Sequence, residues 1–161
     1  MKMFAGRLLS VRVGALAVLV ALAGIGAAYV AAQNPSLAPT FGSVTLNSGF
    51  LPDPVVRNVV AGGTIQTNLG GVNTHVANAP DFRLYYTAGK LPLTIHVESA
   101  ADTTLLINLP DGTWVADDDS GGNLNPLLKF ARPQSGRYDI YVGTFAKGTA
   151  PQAALHITER R

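Results

Sequence analysis

The stretch that decides the fold is TTLLINLPDGTWVADDDSGGNLNPLLKFARPQSGRYDIYVGTF, Thr103 to Phe145. Its apolar residues recur every second position. Tyr138, Ile140 and Val142 alternate with Asp139, Tyr141 and Gly143, a pattern that gives a strand one buried and one wet face. Thr103 to Leu109, Thr113 to Ala116 and Leu127 to Ala131 read as three further strands. Pro110-Asp111-Gly112 and Ser135-Gly136 are turn signals between them.

The same punctuation extends outward. Candidate strands are Ser43 to Leu46, Val55 to Val60, Thr64 to Leu69 and Phe82 to Thr87. Leu93, Ile95 and Val97 alternate with Thr94, His96 and Glu98, and Leu155 and Ile157 with His156 and Thr158. Ala61-Gly62-Gly63 and Ala88-Gly89-Lys90 supply further turns, and no apolar period of 3.6 lasts long enough for an ordinary helix. About ten short strands without helical crossovers predict an all-β fold: an antiparallel β-sandwich, jelly-roll-like in form.

The first 32 residues read differently. They hold three of the twelve Lys/Arg residues (Lys2, Arg7, Arg12), no acid, and an apolar run from Val13 to Ala28. Val30 and Ala32 are small residues at positions −3 and −1, so 1–32 is expected to be a signal peptide cleaved before Gln33. The alternative is an uncleaved anchor, since Val13 to Ala32 reaches the ~20 residues that span a bilayer. Residues 33–40, with Pro35 and Pro39, read as a short extended linker, and 41–161 as the sandwich domain.

Composition sharpens once 1–32 is set apart. The whole chain has 161 residues, 47% hydrophobic, with a net charge of +2. Without its first 32 residues it keeps 9 Lys/Arg against 10 Asp/Glu, a net charge of −1. Scattered cations and a near-neutral charge argue against a nucleic-acid partner. The absence of cysteine excludes a disulfide scaffold, a thiolate metal site and a Cys nucleophile. A periplasmic or extracellular location follows from the export reading.

The quoted stretch resembles the bacterial pre-peptidase C-terminal domain. The matching positions are Pro110-Asp111-Gly112, Asp117 to Asp119, Gly121-Gly122, Pro133, Ser135-Gly136, Tyr138, Ile140 and Val142, within a similar half spanning 102–159. Upstream, FGSVTLNSGFLPDPVVRNVVAGG and APDFRLYYTAG look like segments of small exported alphaproteobacterial proteins of unknown role. The resemblance implies a non-catalytic β-sandwich appended to exported enzymes, some members of which bind calcium and protein fibrils. In the alphaproteobacterial group a cysteine precedes the APDF segment and another follows the hairpin Trp; Val72 and Ala116 stand in those places. A bridge there would close a loop of about 44 residues, worth roughly 4 kcal/mol, so apolar packing is expected to replace it.

Asp117, Asp118 and Asp119, followed by Asn123 and Asn125, are the candidate metal ligands, because clustered oxygen donors suit calcium. Asp102, Asp111 and Asp139 would join only if folding brings them near. The EF-hand spacing is not met: Gly121 stands at a ligand position and Leu128 where the bidentate Glu belongs. Asp, Asn, Ser and Gly also make ordinary solvated turns.

Asp119-Ser120-Gly121-Gly122 matches four of the five letters of G-D-S-G-G around a serine-peptidase nucleophile, but a triad also needs a placed His, an Asp and oxyanion donors. His75, His96 and His156 are far apart in sequence and read as ordinary exposed histidines rather than a zinc site. Trp114, Tyr85 and Tyr141 form a candidate ligand surface. Tyr85 and Tyr86, being adjacent, must face opposite ways.

The leading reading is a non-catalytic exported module that binds a protein or polymer surface, with calcium as its candidate cofactor. The alternatives are a serine hydrolase using Ser120 and a carbohydrate-binding module using the aromatic face.

Overall fold

The computed structural model describes residues 33–160; the expected signal peptide, its cleavage before Gln33 and Arg161 lie outside these residues. Among the described residues there are eleven strands: β1 (Ser43–Asn47), β2 (Val55–Val60), β3 (Ile65–Thr67), β4 (Thr74–Val76), β5 (Phe82–Thr87), β6 (Leu93–Glu98), β7 (Thr103–Asn108), β8 (Trp114–Asp117), β9 (Leu127–Phe130), β10 (Gly136–Thr144) and β11 (Gln152–Thr158). They form two sheets, a seven-stranded one built around β10 and a four-stranded one in the order β2-β11-β6-β9. The chain crosses repeatedly between the sheets, as the sandwich expectation requires.

The inward-facing sets are those the alternation marks. Phe82, Leu84 and Tyr86 of β5 and Tyr138, Ile140 and Val142 of β10 meet Leu93, Ile95 and Val97 of β6 and Leu155 and Ile157 of β11 in one core. Removing this apolar surface from water is the main favourable term in folding.

Three features depart from the sequence expectation. First, the outward sets are not wet: Asp139, Tyr141, Thr94 and His96 are all buried. Over the large sheet, the 3-10 turn Leu69–Gly71 packs on β8, and Leu69, Trp114 and Ala116 cover a second cluster of Val76, Leu106 and Tyr141. Ala116, one of the two positions where the resemblance implies a cysteine, sits in apolar contact.

Second, residues 33–40 are not a free linker. Arg83 Nη2 donates to the carbonyls of Pro35 (2.6 Å) and Leu37 (2.8 Å). The Thr40 amide donates to Pro80 O and the Phe41 amide to Asp81 O. Arg83 is held in turn by Asp139 at 2.6 Å, whose other oxygen lies 2.8 Å from Arg137 Nε. A buried carboxylate between two guanidiniums is how a charge survives inside a protein.

Third, the sandwich is not wholly antiparallel. β1 pairs with β5 in parallel, Ser43 beside Arg83 and Asn47 beside Thr87. β10 also carries two partners on one flank, β5 along Gly136 to Ile140 and β4 at Thr144. The close approach of β4 requires Gly143, because a Cβ there would collide with the hydroxyls of Thr74 and Thr104.

Candidate functional site

The acidic turn joins β8 to β9, and hydrogen bonds close it. Asp117 Oδ1 accepts from the Ser120 hydroxyl (2.6 Å); its Oδ2 accepts from the Ser120 amide (3.0 Å) and the Leu127 amide (2.8 Å). Asn125 is committed on both ends. Its Oδ1 accepts from the Ser99 amide and the Thr103 hydroxyl, and its Nδ2 donates to Ser99 O and Asn123 O. Asn123 and Leu124 turn the chain with positive φ, 55° and 58°.

Of the five candidate calcium ligands, two are thus engaged in closing the turn. Asp117 and Asn125 already serve the backbone, and among the described residues the Asp carboxylates do not converge into a metal-holding group. Folding does bring Asp102 near Asp118 and Asp119: its carboxyl is raised by burial first, then by the charges of Asp119 and Asp118. Asp111 is elsewhere, lowered to about 2 by its bonds to Gln134 and Thr113, and Asp139 belongs to the arginine pair.

The Ser120 hydroxyl is engaged within its own turn, donating to Asp117, which is the arrangement of a turn residue; a triad serine gives its proton to an imidazole. The Gly121-Gly122 pair lines a polar cleft of about 360 Å³ with His96, Glu98, Ser99 and Asn125.

The Pro110–Gly112 turn and the segment from Gln134 to Tyr138 contact one another. Pro110 to Gly112 turns β7 into β8, with the Leu109 amide donating to Thr113 O. Gln134 Nε2 donates to Asp111 Oδ2 at 2.7 Å, and Gly136 lies so close that a Cβ would press on the Pro110 ring. Tyr138 OH returns to Gln134 O.

The aromatic set is not a platform. Tyr141 is fully buried and packs tilted against Trp114 at 5.6 Å. Tyr85 alone is well exposed, at 42%. It shares the outer face with Tyr141 but lies four positions away in register, beyond the Arg83–Asp139 pair.

The histidine expectation also needs correcting, since His75 and His96 are buried and His156 is largely covered. His75 Nδ1 lies 3.1 Å from Phe145 O on the large sheet. His96 and His156 meet on the small sheet, opposite one another in register, their rings stacked at 4.6 Å.

A feature that sequence reasoning passed over lies at one end of the sandwich. Phe50, Leu51 and Leu91 line a cleft of about 250 Å³ with Gly49, Asp53, Glu159 and Arg160. Leu51 is 79% exposed and Leu91 44%. The loop carrying Leu51 is pinned from beneath: buried Glu159 accepts from the Gly49 amide (2.7 Å) and the Tyr86 hydroxyl (2.5 Å). Burial and this carboxylate push the Tyr86 hydroxyl up to about 12. Asp53 Oδ2 accepts from the Glu159 amide and pairs with Arg160 at 3.3 Å. The only signal in the sequence is an apolar pair, Phe50-Leu51, outside every period-two run.

No family model and no curated protein matches this chain. Among solved structures, it is similar to the crystal structure of Aeromonas hydrophila PliG, a periplasmic lysozyme inhibitor of g-type lysozyme. That likeness has a TM-score of 0.41 and 14% identity, over 73% of this chain and 96% of that one. It is too slight to carry a functional argument.

Proposed function

We propose that this chain is a non-catalytic, exported binding module of the pre-peptidase C-terminal type, acting in the periplasm or outside the cell, and that it engages a protein partner through the Leu51 end of the sandwich. The observation that carries this reading is Leu51 itself, an aliphatic side chain 79% exposed on a loop held by a buried carboxylate. Burying such a side chain gains about 1.5–3 kcal/mol. A loop already ordered before contact spares the entropy that a mobile one would lose. Leu51 does not stand alone: Phe50 and Leu91 line the same cleft, and exposed Arg160 borders it, giving an apolar centre with a polar edge.

The alternatives have less to stand on. The hydrolase reading needs Ser120 free of Asp117, and the carbohydrate reading needs an exposed Tyr141.

A photo-crosslinking amino acid at position 51, expressed in the source organism, should give one discrete protein adduct. The adduct should be lost with Leu91→Asp and be absent when the crosslinker sits at Arg132. The same smear from both positions, or no adduct, refutes the reading. A fluorophosphonate probe should leave Ser120 unlabelled, and the intact mass of the exported protein should begin at Gln33.

A further inference from the structure

We infer that His96, Glu98 and His156 form a binding site for one divalent transition-metal ion of the zinc class. Register builds the group. His96 of β6 lies directly opposite His156 of β11, and Glu98 follows His96 by two residues, so all three side chains leave the same, outer face of the small sheet. Their donor atoms lie within 4.8 Å of one another. Glu98 spans the pair, with one oxygen 4.0 Å from His96 Nδ1 and the other 3.6 Å from His156 Nε2.

His156 Nε2 is the second observation. It is a buried nitrogen without a hydrogen bond, aimed at the carboxylate, and a buried polar atom left so is unusual in a native fold. An ion between it and Glu98 would satisfy both. The group borders an open cleft of about 260 Å³, lined also by Pro54, Thr158 and Arg160, which leaves room for water on the remaining coordination positions. Arg160 does not oppose a cation there unopposed, because its guanidinium is paired with Asp53.

Donor chemistry selects the metal. Two imidazoles and one carboxylate suit Zn²⁺, Cu²⁺, Ni²⁺ or Co²⁺, whereas Ca²⁺ and Mg²⁺ want oxygen alone. Bonds of about 2.0–2.2 Å require the donors to close in. Glu98 is exposed and can swing; the imidazoles, stacked within 16° of parallel, must turn so that their lone pairs point at one ion. Metal binding therefore breaks the stack.

Titration of the metal-free exported protein with ZnCl₂ by calorimetry, and with CoCl₂ by visible absorption, tests this. One equivalent per chain should bind with micromolar affinity, Co²⁺ should develop d–d bands, and imidazole NMR shifts should follow His96 and His156 but not His75. Glu98→Gln and His156→Gln should each weaken binding at least tenfold, while His75→Gln leaves it unchanged. Because Glu98 is exposed, its variant folds even if His156→Gln does not. No saturable binding below 1 mM, or equal binding in Glu98→Gln, overturns the inference. Neither result bears on crosslinking at position 51.

Discussion

Asp81 should make this protein less stable as pH rises toward neutrality. The residue ends the segment before β5 and is buried, 3% exposed, with Oδ2 accepting from the Val142 amide at 2.7 Å. Burial raises its carboxyl from 3.8 to about 7, with the Val142 bond offsetting part of that rise. Below pH 3.8 the group is protonated folded or unfolded and contributes nothing. Between 3.8 and about 7 the unfolded chain has lost the proton and the folded chain keeps it, so stability falls by about 1.4 kcal/mol per pH unit. From pH 5 to pH 8 the loss from this group is about 3 kcal/mol. Asp81→Asn keeps an oxygen for Val142 and cannot ionise. Urea denaturation of both proteins at pH 5, 6, 7 and 8 should give curves that diverge, the variant gaining about 3 kcal/mol on the wild type across that range. Taking the difference cancels the histidines and exposed carboxylates common to both. Parallel curves would show that Asp81 is ionised in the fold at no cost, and would refute the reasoning.

Three further outcomes follow from the contacts above. Asp117→Ala removes three hydrogen bonds that close the β8–β9 turn and should cost about 2–4 kcal/mol by urea melts; because no ion is needed to close it, millimolar calcium followed by EDTA should leave Tm within a degree, and a shift of several degrees would restore the cation reading. Gly143→Ala pushes a methyl into the hydroxyls of Thr74 and Thr104 and should cost about 3 kcal/mol or more in thermal unfolding, at the upper range of overpacking. Arg83→Met leaves Asp139 buried with Arg137 as its remaining ion-pair partner; about 3–5 kcal/mol should be lost, and amide exchange should accelerate at Thr40 and Phe41 while β11 stays protected.

What could be read from the sequence was whatever depends on neighbours along the chain. Val55 to Val60 is rich in β-branched valine and Phe82 to Thr87 alternates, each is followed by a turn signal, and both strands have those bounds. Thr74-His75-Val76 is too short to show a period, and β4 exists only because β3 and β10 pair with it. The polar side of β10 reads as wet because Asp139 is charged; it is dry because Arg83, 56 residues earlier and on another strand, neutralises it. Sequence distance hides the pairing of His96 with His156, because β6 and β11 are neighbours only in the folded sheet. Leu51 was passed over because an exposed aliphatic residue in a loop has no sequence signature; only the carboxylate beneath it distinguishes a fixed loop from a loose one.

The parallel pairing of β1 with β5 also sets a direction. The chain enters beside the start of β5, where Arg83 grips Pro35 and Leu37. It then runs alongside β5 to Thr87, where the Ser48 amide bonds the Thr87 carbonyl and the Leu51 loop begins. Four residue rises along β5, from Arg83 to Thr87, separate the two points by about 13 Å. The contacts of Pro35 and Leu37 and the loop of Leu51 therefore lie at opposite ends of β5, so the same strand anchors one and carries the chain to the other.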